Sequence, residues 1–263
     1  MKRNYYQSAE LRLSYLDFEG RDKPILLCLH GHFGNAAMFA RLAEKLPDWH
    51  VYSLDQRGHG WSQHAESEDY QREDYVRDIL TFMEHVLQNK LVVLLGHSLG
   101  GVNAYQAAAR LKQRVRGLII EDIGAVIDDD LSFASSIVEP KPTLHALGEG
   151  LEAVGIDDDN YFIESAYENE NGWNFRFDKK NIPFSQNYLN GAWWDDFLAT
   201  DCPTLLLHGK LSHVVSDEQI IEMAKKRKHT TYQFFEKSGH TIHDDEPLAF
   251  CKAVAAFLKQ FQA

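Results

Sequence analysis

Residues 91–105 read Leu91-Val92-Val93-Leu94-Leu95-Gly96-His97-Ser98-Leu99-Gly100-Gly101-Val102-Asn103-Ala104-Tyr105. The first five form a short unbroken apolar run, the pattern of a strand buried on both faces of a sheet. Gly101 to Leu111, rich in alanine, predicts a helix. Between them, Gly96-His97-Ser98-Leu99-Gly100 has the form Gly-x-Ser-x-Gly. A strand that passes at once into a helix needs a tight backbone turn, and glycines on both sides permit it. A serine on that turn stands at the strand's end, where the helix N-terminus directs N–H groups at whatever reacts there. Ser98 is therefore a candidate nucleophile.

The flanking sequence repeats the same alternation. Leu11 to Phe18 alternates apolar and polar residues like a half-buried strand, and Ile25 to Leu29 is a second fully apolar run. The glycine-rich turn His30-Gly31-His32-Phe33-Gly34 follows, then a helix over residues 35–46. Val51 to Leu54 predicts a strand, Tyr70 to Leu87 a helix, and Val115 to Ile120 a strand ending at Glu121-Asp122. Beyond residue 200 come a strand from Thr204 to Leu207, a helix from Asp217 to Lys226, a strand from Thr231 to Phe235 and a helix from Pro247 to Phe261. Strands alternating with helices predict an α/β fold, a mostly parallel sheet with helices on both faces.

The alternation stops near Ala125 and resumes near Pro203, and the charge changes over the same stretch. The 263 residues carry 27 Lys+Arg and 39 Asp+Glu, a net charge of −12. Residues 125–200 hold 15 acidic and 4 basic residues, so −11 of the total lies there. That segment also has 12 aromatic residues, among them Trp173, Trp193 and Trp194. Acidic outside and aromatic inside suits a helical lid over an apolar pocket. The expected organisation is a core of residues 1–124 and 197–263 with an inserted cap of residues 125–196.

The negative charge opposes nucleic-acid binding, which needs a basic footprint, and no apolar run approaches the length that spans a bilayer. Cys28, Cys202 and Cys251 are odd in number and fall in no metal-ligand spacing, which argues against a disulfide scaffold or zinc site. Asn4, Gln7, Ser8 and Glu10 interrupt any signal-peptide core. The expected setting is reducing and cytoplasmic. Asp128-Asp129-Asp130 and Asp157-Asp158-Asp159 lack the glycine and terminal glutamate of a calcium loop, and read as solvated caps.

A serine nucleophile needs a base and an oxyanion hole. Ser238-Gly239-His240 lies between the last strand and the last helix, so His240 can hang over the sheet's C-terminal edge as general base. His243 is the rival, and reads better as a pocket residue. The backbone N–H groups of Leu99, after the nucleophile, and His32, in the turn after Ile25–Leu29, are the expected oxyanion donors. His30 is expected to brace that turn and His59 to shape the loop Asp55-Gln56-Arg57-Gly58-His59-Gly60. Candidate pocket residues are Phe33, His97, Trp173, Trp193, Trp194 and His243.

His30-Gly31, the Asp55-x-Arg57-Gly58-x-Gly60-x-Ser62 loop, the Ser98 turn and Gly239-His240 together resemble the α/β-hydrolase family. The likeness runs from about residue 25 to the C-terminus and implies an eight-stranded-type sheet with an inserted helical cap. The family usually places its triad acid after the seventh strand as Gly-x-x-Asp. Gly209-Lys210-Leu211-Ser212 has serine there instead. A family subgroup with its acid after strand six points to Asp122, with Glu121 and Asp217 as alternatives.

The expected function is hydrolysis of small to medium carboxylic esters or thioesters by Ser98, His240 and Asp122 through an acyl-enzyme, with no metal or organic cofactor. A small-molecule ester or thioester is then the partner. Two other readings stay open: the same fold performing C–C hydrolysis, lactone opening or lyase chemistry, and a ligand-binding receptor or regulatory protein on a hydrolase scaffold.

Overall fold

The computed structural model describes residues 1–156 and 160–261. Eight strands form one sheet: β1 (Lys2–Ser8), β2 (Leu11–Asp17), β3 (Ile25–Leu29), β4 (His50–Leu54), β5 (Val92–His97), β6 (Val115–Glu121), β7 (Thr204–Gly209) and β8 (Thr230–Phe235). Their order across the sheet is β1-β2-β4-β3-β5-β6-β7-β8. β1 pairs antiparallel with β2, and β2 with β4. The remaining pairings are parallel.

The central strands are apolar throughout because both faces are covered. In β3, Leu26 and Cys28 pack with Phe39, Leu42, Phe250 and Val254, beneath the helix Pro247–Leu258 and the turn and short helix spanning 36–44. Leu27 and Leu29 point the other way, toward Tyr75, Ile79 and Phe82 of the helix Arg72–His85 and Val102 of the helix Leu99–Leu111. The period-2 alternation of a strand thus feeds two cores at once.

Parallel pairing puts the C-terminal ends of β3, β5, β6 and β7 side by side. In register, Leu29 lies opposite Gly96, and His97 opposite Glu121, which in turn faces Leu207. The strand-to-helix turn at Ser98 is tight because the helix starts at once, at Leu99. A side chain at Gly100 would run into the backbone carbonyls of Leu29 and His30. Ser98 itself has φ 52° and ψ −123°, a strained conformation for a residue with a Cβ.

The excursion between β6 and β7 opens and closes where Val126–Ile127 pairs antiparallel with Gly191–Ala192. It contains the helices Leu144–Glu152 and Ile182–Leu189. It also holds a hairpin, Ala166–Asn169 with Gly172–Phe175, so this region is mixed rather than purely helical. It has a small core of its own, in which Leu147, Leu151, Phe162, Phe175 and Phe177 pack with Phe33 from the sheet side. Hydrogen bonds tie it down: Asp178 N–H to the Gly58 carbonyl at 2.7 Å, Tyr70 Oη to Asp178 at 2.8 Å, and Ser165 Oγ to the Phe33 carbonyl at 2.5 Å. No described helix is long and apolar enough to cross a membrane.

Nothing in the sequence pattern marks β1, and the strand expected from Leu11 is the second one. The Asp55–Ser62 loop is held by its own charged groups. Arg57, 1% exposed, forks onto Asp78 at 2.7 and 2.8 Å, while Asp55 accepts from Ala36 N–H at 2.8 Å and from the Arg3 guanidinium. Asp130 accepts from Ser132 N–H at 2.8 Å, capping the turn that follows. The run 157–159 lies outside the described residues.

Two glycines separate packing from propensity. Gly100→Ala is expected to lower stability by about 2 kcal/mol or more, since backbone must move to admit the methyl. Gly150 sits inside the helix Leu144–Glu152, where the tightest contact of an added Cβ is with the flexible end of Lys141 at 3.3 Å. Gly150→Ala should raise stability by up to about 1 kcal/mol. Urea unfolding of both variants checks the pair.

Candidate active site

The tips of β5 and β6 bring Ser98 and Asp122 close together. The Ser98 N–H donates to the Glu121 carbonyl at 2.9 Å, which locks the turn after β5 against the end of β6. One residue further on, Asp122 has φ 51° and its own N–H donates to the Leu207 carbonyl of β7 at 2.9 Å. Its side chain is fully buried.

Four donors surround that carboxylate. Oδ2 accepts from His240 Nδ1 at 2.7 Å and from Ser212 Oγ at 2.5 Å. Oδ1 accepts from His208 Nδ1 at 2.7 Å and from Gly209 N–H at 3.0 Å. Burial pushes the carboxyl up, yet the hydrogen bonds from His208, His240 and Ser212 outweigh it and hold Asp122 below the ordinary carboxylate range. With Nδ1–H given to Asp122, His240 keeps Nε2 as the nitrogen able to take up a proton.

Ser98 and His240 line one cavity of about 580 Å³, with His32 and Phe33 on the side of the β3 turn. Phe33 packs against Phe162 and Phe133 of the excursion, with ring centroids 4.6 and 5.5 Å apart. Ile123, Ile127, Leu189 and Val214 continue the apolar wall. Asp129, Glu164, Asp244 and Asp245 also border the space, with Arg41 among them. Burial raises the Glu164 carboxyl, and neighbouring Asp244 raises it further.

The turn after β3 is braced as expected. His30 is fully buried, its Nδ1 donating to the Gly31 carbonyl at 2.7 Å and its Nε2 accepting from Gln56 N–H at 3.0 Å. Burial depresses His30 to about 4, which keeps the ring neutral for that pair of bonds. His59 is also buried and neutral, depressed to about 3 by burial and by His30. The His32 ring meets Ser185 Oγ of the excursion at 2.9 Å. Leu99 occupies the first position of its helix, where an N–H has no intrahelical acceptor.

Several expected pocket residues sit elsewhere. His97 does not line the cavity: it is buried behind His240 and donates from Nε2 to the His240 carbonyl at 2.9 Å. Its ring supports the loop that carries His240. Burial, together with His240 and His243, holds His97 well below the usual histidine range. His243 is likewise under the floor, its Nδ1 2.8 Å from Glu121 Oε1, which also accepts the His243 N–H at 2.9 Å. Trp193 donates from Nε1 to the Leu189 carbonyl, Trp194 packs edge-on to Phe197, and Trp173 lies at the hairpin, bridged to Lys141. None of the three lines the cavity.

Tyr161, Phe133, Phe162 and Ser212 do not stand out as site residues in the sequence. The phenylalanines belong to the aromatic count of the excursion, without a signal to separate cavity-facing rings from its core. Ser212 stands where the resembled family usually has its acid, and its hydroxyl donates to Asp122, the residue just beyond β6. Asp217 makes no bond to His240; it faces His208 Nε2 at 3.1 Å and pairs with Lys210. Among the described residues no group of three or more His, Cys, Asp or Glu is arranged to hold a metal ion.

The chain is similar in sequence and fold to known proteins. A sequence model of the α/β-hydrolase fold matches residues 24–147. A Haemophilus influenzae protein named as an esterase/lipase is 24% identical over 246 residues, covering 90% of this chain and 84% of its own. The sn-1-specific diacylglycerol lipase of Danio rerio is 26% identical over 281 residues, covering 96% of this chain and 84% of its own. The solved structure of E-2-(acetamidomethylene)succinate hydrolase shares the fold with a TM-score of 0.84 at 20% identity, covering 98% of this chain and 99% of that one.

The Glu121–His243 pair has a measurable signature. Burial pushes His243 down, but the Glu121 carboxylate outweighs it and raises the imidazole to about 9. A raised histidine stabilises the fold fully below its unfolded value near 6.5, and that stabilisation is lost as pH rises through about 9. Each tenfold change in proton affinity is worth about 1.4 kcal/mol. Between pH 6.5 and 9.5 the wild type should therefore lose up to about 3 kcal/mol relative to the change seen in His243→Gln. Urea unfolding at the two pH values checks the slope.

Proposed function

Because this chain is an α/β-hydrolase-fold protein, we propose that it is a serine hydrolase acting on small to medium carboxylic esters or thioesters. The observation that carries this is the 2.7 Å bond between His240 Nδ1 and a buried, ionised Asp122, in a cavity shared with Ser98. Ser98 Oγ attacks the carbonyl carbon while His240 Nε2 takes its proton, and Asp122 balances the imidazolium that forms. The N–H groups of His32 and Leu99 hold the oxyanion. His240 then returns the proton to the leaving alkoxide or thiolate, and water, activated by the same histidine, releases the acid.

The cavity supports an apolar acyl group set against Phe33, Phe133 and Phe162. The carboxylates at its border disfavour strongly anionic substrates by charge alone. The segment 125–196 acts in this reading as a cap that selects among esters. Relatives named as an esterase/lipase and a diacylglycerol lipase agree with ester chemistry.

Hydrolysis of p-nitrophenyl acetate and butyrate tests the assignment. Ser98→Ala should lose at least about a thousandfold in kcat, and Asp122→Asn about a thousandfold to ten-thousandfold. Asp217→Asn should keep most of the activity, since its carboxyl does not reach His240. Undiminished turnover in Ser98→Ala would remove the proposal.

A further inference from the structure

Beside Asp122 lies a second histidine that the proposed reaction leaves without a task. His208, at the end of β7, is 2% exposed, and both of its ring nitrogens face carboxylates. Nδ1 is 2.7 Å from Asp122 Oδ1 and Nε2 is 3.1 Å from Asp217 Oδ1. An ionised carboxylate only accepts hydrogen bonds. Asp122 lies below the ordinary carboxylate range, and the Lys210 ammonium with which it pairs draws Asp217 down as well. Two accepting partners require a ring that donates from both nitrogens, and an imidazole that does so carries a positive charge.

We infer that His208 is a buried imidazolium that acts as a positioning residue, fixing Asp122 from the side opposite His240 and sharing the charge of that carboxylate between two rings. The inference rests on the Ser98–His240–Asp122 reading above. Its geometric part is the use of Asp122: each oxygen accepts two bonds, Oδ2 from His240 and Ser212, Oδ1 from His208 and Gly209. The carboxylate plane therefore cannot rotate without breaking a charge-assisted bond. The electrostatic part concerns His240. A carboxylate serving His240 alone would hold its proton more firmly than one facing a second cation across the same group.

The charged groups around His208 come from each element packed on it. Asp122 approaches from the end of β6, with His240 behind it. Asp217 approaches from the first turn of the helix Asp217–Lys226, and Lys210 pairs with Asp217 from the turn after β7. The neighbour on β8 is the uncharged ring of Phe234, edge-on with centroids 5.6 Å apart. Glu218 and Glu236 act on Lys210 from further out. The cation of His208 is thus neutralised from the surface by Asp217, which keeps a positive ring tolerable in a buried place.

Two measurements decide the matter. The first is the pH dependence of kcat/KM for p-nitrophenyl acetate in wild type, His208→Asn and Ser98→Ala. Asparagine keeps an N–H donor and cannot carry charge, so removing the cation should make His240 hold its proton more firmly. The acid limb should then move to higher pH by roughly 0.5 to 1. A limb that stays in place, or moves down, overturns the inference, because a purely structural clamp would not shift it. The second measurement needs no variant to fold with full activity: nitrogen-15 NMR of the histidine rings in the wild-type protein at pH 7.5. Protons on both nitrogens of His208 are expected, and a singly protonated ring overturns the inference. Full activity in Ser98→Ala would instead sink the triad reading, while the ring spectrum would still report on His208 by itself.

Discussion

Asp122 holds three stretches of chain to one point. Its two oxygens are bonded by His208 and Gly209 at the end of β7, by Ser212 in the turn beyond, and by His240 from the loop after β8. A buried charge with fewer partners would be costly, and one with four donors is stable. The position of His240, the closing of the β7 turn and the ionised state of the carboxylate therefore depend on the same small set of bonds. Ser98 joins them through the backbone, because its N–H is bonded to the carbonyl of the residue immediately before Asp122.

Much of this fold can be read from the chain because its strands are buried on both faces. Ile25–Leu29 and Leu91–Leu95 have no polar residue to blur them, and the Gly-x-Ser-x-Gly turn between strand and helix fixes the direction of the central strand. Where a strand lies at the sheet's edge the pattern fades. β1 carries Lys2, Arg3, Asn4 and Gln7 on exposed or half-exposed backbone, and no periodicity betrays it. The hairpin 166–175 is similar: Glu168, Asn169, Glu170 and Asn171 look like a loop, and only the pairing of Ala166 with Phe175 makes it a sheet.

The site divides in the same way. Of the proposed triad, Ser98 and Asp122 are legible because each directly follows the end of a strand, and His240 because it lies in the loop between the last strand and the closing helix, so that local order in the sequence maps onto position in space. The residues around them answer to contacts between distant segments. The tryptophans of the acidic segment are expected at the cavity for their size, yet their indoles serve its junction with the core and its hairpin, and the smaller rings of Phe133 and Phe162 meet the space instead. Histidine is harder still. Thirteen of them occur in the chain, and His30, His97, His208 and His243 are all buried with distinct hydrogen-bond partners. Only the acceptors each ring faces, a carbonyl or a carboxylate, separate a neutral brace from a charged one.

The pairing of β5 with β6 has a consequence for how such a site can be altered over time. Nucleophile and acid, in the proposed triad, share a single reference edge: two adjacent strands, in register, joined by one further bond between the turn and the tip. Their spacing is set by the sheet's repeat and does not accumulate error from loops. Only His240 arrives on a loop of its own, and that residue is held by Asp122 at its ring and by His97 at its carbonyl. The segment 125–196, which supplies much of the cavity lining, contributes no reacting atom to that proposed triad. It can be recut by drift or by selection, changing which molecules enter, while the machining tolerance of the reacting parts stays where the strands hold it.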